Sequence, residues 1–346
     1  MSEPGVDAAE VPAVSALREI GFLLERSRSD TFRVRTYRSA ADTLAAMSPA
    51  ELARHRREGT WSTLPGVGPK TAAVISQAMA GEVPAYLQQL RDARRPLVEG
   101  GLGMRAAVRG DLHVHSTWSD GGSPLEEMMT TARDLGHEYC AITDHSPRLK
   151  VARGLSAERL REQIGVTRAL AEQLAPFRVL QGIEVDILED GGLDQRDDLL
   201  AELDVVVASV HSKLRSDSET MTHRMVGAIA NPRTNVLGHC TGRLVEGERG
   251  TRPQSVFDAE VVFEACRTFG VAVEINSRPE RRDPPTDLLR LAMDMGCLFS
   301  IDTDAHAPGQ LEFQIYGCAR AEDLGLDADR VVNTWPVERL LEWCRS

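Results

Sequence analysis

Paired cysteines, a basic leader, long apolar runs and lysine are what this sequence of 346 residues has least of. Its six cysteines (140, 240, 266, 297, 318 and 344) form no CxxC pair and fall in stretches that read as interior strand or helix. That pattern argues against a disulfide scaffold and predicts reduced thiols and a cytoplasmic chain. The opening residues, MSEPGVDAAEVPAV, lack a basic run followed by an apolar core, so no signal peptide is expected. No stretch approaches the roughly 18 apolar residues of a membrane helix. No GxSxG motif offers a serine nucleophile, and lysine occurs only at 70, 150 and 213. What is present is ordinary for a globular chain, with 42% hydrophobic and 27% charged residues. The length suffices for two domains.

A net charge of −12 argues naively against a nucleic-acid partner, but the charge is uneven. Residues 1–96 hold 13 Lys and Arg against 11 Asp and Glu, and the rest hold 27 against 41. The acidic excess therefore lies in the part that carries the metal-ligand candidates, where divalent cations would offset it.

Residues 1–91 read as consecutive short helices. Apolar residues recur at helical spacing in Val14, Leu17, Ile20 and Leu24, and again in Ala40, Leu44 and Met47. Ser48-Pro49-Ala50-Glu51 has the form of a capped helix start. Residues 92–108 are rich in Arg and Gly, without periodicity, and read as a linker. From 109 to 346 short apolar runs alternate with helical stretches, and the last segment reads as a helix. The runs are Leu112–Val114, Tyr139–Thr143, Arg178–Ile183, Val205–Val210, Asn235–Gly238, Val271–Ile275 and Cys297–Ile301. Seven βα units in about 200 residues predict an α/β fold with a parallel sheet, open or closed into a barrel.

Ligand-competent residues stand at the C-terminal ends of these runs, where the loops of a barrel converge. They are His113, His115, Asp120, His145, Glu184, His211, His239, Asp304 and His306. His113 and His115 lie two apart, so a strand turns both to one face, and the same holds for Asp304 and His306. A single histidine at a strand end is ordinarily a hydrogen-bonded surface or core residue. Six of the nine histidines on one rim are another matter; His55, His137 and His223 fall in helices or helix ends and read as structural or solvated. Imidazole and carboxylate without thiolate suit Zn, Mn or Fe(II). Nine ligands exceed the needs of one ion and point to two or three, an arrangement suited to hydrolysing a P–O bond.

The strings DLHVHSTWSD, AITDHS, GIEVDIL, ASVHSKL, LGHCTGRL, EINSRPERRD and IDTDAH, in this order over about residues 109–325, resemble the PHP (polymerase and histidinol phosphatase) domain. The resemblance implies a distorted (β/α)7 barrel. It also implies one ion held by His113, His115, Glu184 and Asp304, and a second held by His211 and His239 with Glu184 as bridge. Asp120, His145 and His306 would hold a third. Glu184, Asp304 and His115 are thus expected at the catalytic centre. Arg243 and Lys213 are candidates to hold substrate phosphate, with Arg278, Arg281 and Arg282 behind them. The plainer reading of these arginines is salt bridging to Glu280, Asp283 or Glu246.

LPGVGPKTAAVI (residues 64–75) has the form of a helix-hairpin-helix. Gly66 and Gly68 permit a tight turn whose backbone N–H groups approach a DNA phosphate, with Lys70 in the helix that follows. FRVRTYRSAADTL (residues 32–44) adds Arg33, Arg35 and Arg38, unless these only line a solvated helix face. Both strings resemble the small N-terminal domain of family X DNA polymerases, whose bacterial members also carry a PHP domain. Between residues 92 and 110 there is no room for a palm domain, so nucleotidyl transfer is not expected. In some members a Schiff-base lysine removes deoxyribose phosphate; the matching position is Val74, which makes lyase activity doubtful. The expected function is a metal-dependent nuclease or 3′-end-processing phosphoesterase acting on gapped, nicked or 3′-ended DNA, with no membrane partner. The alternatives are a small-molecule phosphatase of the histidinol-phosphatase type and a DNA-binding scaffold with a vestigial site.

Overall fold

The computed structural model describes residues 11–247 and 250–346; the start of the segment read for a signal peptide, residues 1–10, lies outside them. The chain divides into two compact units, Met1–Pro96 and Leu97–Ser346.

The first unit is all helical: α1 (Pro12–Arg26), α2 (Thr31–Ala45), α3 (Pro49–Glu58), α4 (Pro69–Met79) and α5 (Ala85–Asp92). In α1 the residues at helical spacing, Val14, Leu17, Ile20 and Leu24, are all buried in one core with Tyr37, Leu44, Val74 and Ile75. Helix α3 begins with the reciprocal cap its sequence predicts. The Ser48 hydroxyl accepts from the Glu51 N–H, while the Glu51 carboxylate accepts from the Ser48 N–H at 2.9 Å. Gly59 ends it at φ +65°, a conformation glycine adopts without a steric penalty.

The second unit starts earlier than its sequence suggests. The composition of residues 92–108 predicts a linker, yet Leu102–Ala107 form helix α6, whose Met104 is buried in the barrel-unit core. A short helix of weak periodicity is held by that tertiary burial rather than by its own pattern.

Seven parallel strands follow in the order β1-β2-β3-β4-β5-β6-β7. They are β1 (Gly110–Val114), β2 (Tyr139–Ile142), β3 (Arg178–Asp186), β4 (Val205–Ser209), β5 (Val236–Leu237), β6 (Ala272–Asn276) and β7 (Phe299–Asp302). The main helices between them are α7 (Leu125–Asp134), α8 (Ala157–Leu174), α9 (Asp197–Leu200), α10 (Ser218–Ile229), α11 (Ala259–Phe269) and α12 (Thr286–Asp294). Ser156 caps α8, accepting from the Arg159 N–H, and Pro124 stands at the cap position of α7.

The sheet nearly closes. Between β1 and β7 side chains replace part of the ladder. Asp302 accepts from the Leu112 N–H at 2.8 Å, Asp111 accepts from the Thr303 hydroxyl at 2.5 Å, and the amide of Asn333 bonds Gly110 and Ile301. Along the strands the core changes character. Toward one end Leu112, Leu180, Val205, Val207, Val236 and Ala272 pack with Val332, Trp335 and Leu340. Two residues further along β3 and β6, on the faces set by Leu180 and Ala272, stand Gly182 and Glu184, and Glu274 and Asn276. A polar layer therefore sits on an apolar one.

Candidate metal centre

The polar layer and the loops above it bring together all nine residues singled out as ligands. Four overlapping groups have donor atoms within 4.8 Å of one another: His115 with Asp120, His145 and His306; His113 with Glu184 and His239; His113 and His115 with Asp304; and His145 with Glu184 and His211. His113, His115, His145 and Glu184 each belong to two groups. The geometry thus overlaps the expected three-way division without reproducing it residue for residue. Glu184 also lies within β3 rather than past its end, because β3 runs on to Asp186, paired with Ser209 of β4.

The separations are informative. His113 Nε2 and His115 Nε2 stand 3.4 and 3.6 Å from Glu184 Oε2, and His211 Nε2 stands 3.3 Å from Glu184 Oε1. His115 Nε2 is 3.4 Å from Asp304 Oδ1, and the Nε2 atoms of His145 and His306 are each 3.4 Å from Asp120 Oδ1. These are long for hydrogen bonds. They match the edges of a tetrahedron whose donors lie about 2.1 Å from its centre, as for zinc bound by nitrogen and oxygen. His113 Nε2, His115 Nε2 and His211 Nε2 are also shut off from solvent without a hydrogen-bond partner. Buried polar atoms left so are costly, and divalent cations at the centre of each group would satisfy them. The residues fit the metals the fold family implies.

Second contacts aim these donors. Glu274 accepts from His113 Nδ1 at 2.6 Å, and Asp186 accepts from His211 Nδ1. Asp304 Oδ2 accepts from Arg281 Nε at 2.9 Å and Asn276 Nδ2 at 3.2 Å, which leaves Oδ1 for the cluster. Asp144 is no ligand here. It accepts from the Ser116 hydroxyl at 2.6 Å, from Gln163 at 2.6 Å and from the Ser119 hydroxyl, and so pins the loop that carries Asp120. In that loop a Cβ on Gly121 would stand 2.6 Å from the Ser116 backbone, so glycine is required.

Charge is distributed accordingly. Burial would raise the Glu184 carboxyl, but His211, His113 and His145 outweigh it and hold it well below the usual range. Asp304 is likewise held low against burial, by Arg281, His115 and His113. Burial would lower His145, yet Glu184 and Asp120 push it up to about 10. His115 is lowered to about 3 by burial and by His306 and His145. An imidazole kept neutral is one ready to donate a lone pair.

The flanking cations divide. Arg278 donates to the Asp304 carbonyl at 3.0 Å and pairs with Glu280 at 3.7 Å; Arg282 pairs with Glu246 at 3.6 Å. The salt-bridge reading holds for both. Arg243 gives its Nε to the Arg281 carbonyl at 3.0 Å and an Nη2 to that of Arg282, bracing the loop. Lys213 is exposed, in a left-handed backbone conformation at φ +53°.

In the helical unit Gly66 adopts φ +75° and nothing lies within 4 Å of the Cβ position of Gly66 or Gly68. Gly68 needs no positive φ, having −80°, and precedes α4 without a side-chain cap, so N–H groups of the first turn stay open. Arg33, Arg35 and Lys70 are exposed, with Arg33 lying over the Tyr86 ring at 5.4 Å. Arg38 corrects the expectation of DNA contact: it is buried, with Nε and Nη2 on the two oxygens of Glu25 at 2.8 and 2.7 Å. Val74, at the position of the lyase lysine, is buried in the core. Glu274, Asp186 and Asn276 are the site residues that sequence reasoning missed. They carry no motif of their own, though Glu274 and Asn276 open the EINSRPERRD string and Asp186 falls in GIEVDIL.

Two family models match this chain, one in each unit. Residues 12–83 match a helix-hairpin-helix domain and residues 111–278 match the PHP domain. Over 226 residues the chain is 40% identical to the DNA polymerase/3′-5′ exonuclease PolX of Bacillus subtilis; the match covers 65% of this chain but spans only 39% of that protein. It is 27% identical over 235 residues to a probable phosphatase of Thermoanaerobacter, covering 65% of this chain and 89% of that one. A histidinol phosphate phosphatase of Lactococcus lactis, crystallised with zinc, L-histidinol and phosphate, superposes with a TM-score of 0.46 at 18% identity, over 63% of this chain and 94% of that one. The chain thus carries a PHP domain, of the metal-dependent phosphoesterase class, preceded by a helix-hairpin-helix domain.

Proposed function

We propose that this protein hydrolyses phosphodiester or 3′-phosphate bonds of DNA, as a 3′-5′ exonuclease or 3′-end or abasic-site processing enzyme in repair, and that it does not polymerise. The observation that carries the reading is the presence, in one chain, of a cluster suited to several divalent ions and a helix-hairpin-helix whose α4 N-terminus is uncapped beside exposed Lys70. Such a turn fits a DNA phosphate whatever the sequence. We assign the nine clustered residues as metal ligands, Arg33, Arg35, Gly66, Gly68 and Lys70 as DNA contacts, and the cytoplasm as location, in keeping with six free cysteines. Zinc, manganese and iron suit the donor set equally.

Bound ions would supply the acidity that activates an attacking water and the positive charge that shields the phosphoryl oxygens. The chain's own part is to keep Glu184 and Asp304 ionised, His115 neutral and each imidazole fixed by a hydrogen bond on its far nitrogen where one is available. We take exposed Lys213 to meet a substrate phosphate; Arg243 can do so only with the Nη1 group its loop contacts do not use.

The test is to incubate the protein with Mn²⁺ and end-labelled gapped, 3′-phosphate and abasic-site duplexes, beside histidinol phosphate. Cleavage of a DNA substrate, lost on chelation, is expected. Turnover of histidinol phosphate with every DNA intact would replace this reading by the small-molecule phosphatase, which the likeness to probable phosphatases over the barrel favours.

A further inference from the structure

We propose that Glu274 is a positioning residue that couples two of the candidate metal groups through a single buried carboxylate; this rests on the cluster being a metal centre. Glu274 is fully buried in β6, and both of its oxygens are engaged. One accepts from His113 Nδ1 at 2.6 Å. The other accepts from the backbone N–H of His239 at 2.5 Å and from Asn276 Nδ2 at 3.2 Å. Asn276 Nδ2 also reaches Asp304 Oδ2 at 3.2 Å.

Three N–H donors thus converge on one acceptor-only group, and neither oxygen is left for an ion. The consequences appear on the opposite side of the two histidines. A proton held on His113 Nδ1 leaves its Nε2 lone pair facing Glu184 Oε2, 3.4 Å away. Anchoring the His239 backbone, which has φ +20°, sends that side chain to Glu184 Oε1, 2.9 Å from its Nε2. The two rings stack with centroids 5.9 Å apart. They arrive from β1 and from the end of β5 and are held between one carboxylate behind, Glu274, and one in front, Glu184. Asp186, by comparison, braces His211 alone among the ligands.

Replacement by glutamine separates this role from mere packing. The Gln oxygen can accept from His113 or from the His239 backbone, but its NH₂ then faces the other. Either the His239 N–H loses its acceptor, or His113 turns away or shifts its proton to Nε2, which removes the lone pair aimed at the cluster. In equilibrium dialysis against Mn²⁺ or Zn²⁺, Glu274→Gln should lose about 10–100-fold in affinity at the groups containing His113 and His239. The group of Asp120, His145 and His306 should keep its affinity. With Co²⁺ as probe, the visible absorption of the bound ion should change, and kcat should fall with little change in KM. In ¹⁵N-histidine NMR of the wild-type chain, which needs no variant to fold, His113 should carry its proton on Nδ1. A wild-type protein that binds no divalent ion overturns the metal reading itself. Metal binding by the wild type with affinity and Co²⁺ spectrum unchanged in Glu274→Gln, or a His113 protonated on Nε2, overturns the role of Glu274 and leaves the metal reading standing.

Discussion

In the barrel unit the decisive ionisable side chains turn inward: His113, His115, Glu184, Glu274 and Asp304 are at most 1% exposed. In the helical unit Arg33, Arg35 and Lys70 stand in solvent, and the buried Arg38 is paired with Glu25. The difference follows from what each kind of ligand requires. A small, dehydrated cation needs several donors fixed at short range, so its site must be prepaid in burial and second contacts. A DNA backbone is long, hydrated and bound by displacing counterions, which asks only for accessible cations and open N–H groups. One chain thus places charge where burial makes it specific and, elsewhere, where exposure leaves it available.

The strongest challenge to this contrast is His115→Ala, which removes a donor shared by two of the groups. Hydrolysis of any phosphoester should fall about a hundredfold or more, while gel-shift affinity for gapped DNA stays unchanged. Surviving hydrolysis would mean that the inward-turned cluster is not the reactive centre. Next comes Arg38→Ala, which removes a bidentate partner from the buried Glu25 carboxylate and should cost about 3 kcal/mol in urea unfolding of the helical unit. Arg35→Ala, on the exposed side, should stay within about 0.5 kcal/mol. Equal effects would erase the distinction between structural and available arginines.

A third measurement uses pH. His137 lies buried beyond α7, neither ring nitrogen has a hydrogen-bond partner, and burial, helped by Arg105, lowers it to about 3 from 6.5. Below pH 6.5 the unfolded chain takes up a proton that the folded ring refuses, so this residue's contribution to stability is complete above 6.5 and is lost on acidification. The loss should be on the order of 2 kcal/mol between pH 7 and pH 5. His137→Phe should flatten that part of the acid limb. Histidines raised by carboxylates, such as His145, act in the opposite sense, so the difference between the two curves is the quantity to read; an unchanged slope would put a proton on the folded ring. The smallest effect belongs to the helical surface. Arg33→Ala with Lys70→Ala should weaken DNA binding and reduce its salt slope by about 0.9 for each phosphate no longer neutralised, with hydrolysis of a small model ester untouched. A slope that does not move would take DNA away from this face.

Much of this architecture is legible in the sequence because it depends on local pattern. The βα alternation marks all seven strands, since a strand buried on both faces must read as a short apolar run. The helix start at Ser48 is visible because a capping box is closed within four residues. The candidate ligands are visible because imidazoles and carboxylates at strand ends have few other reasons to recur together. Other features are decided by packing between distant segments. Arg33, Arg35 and Arg38 look alike in a basic string, and only the approach of Glu25 from α1 buries the last of them. Residues 102–107 lack a helical signature and fold where Met104 finds the barrel-unit core. Glu274 and Asp186 are ordinary as residues, and become functional candidates because the sheet sets them behind His113 and His211, residues 161 and 25 positions away. Sequence by itself determined which chemical groups the rim of the barrel offers. Tertiary structure decided which of them face one another, because direction and hydrogen-bond partner are properties of packing across strands and not of the residue.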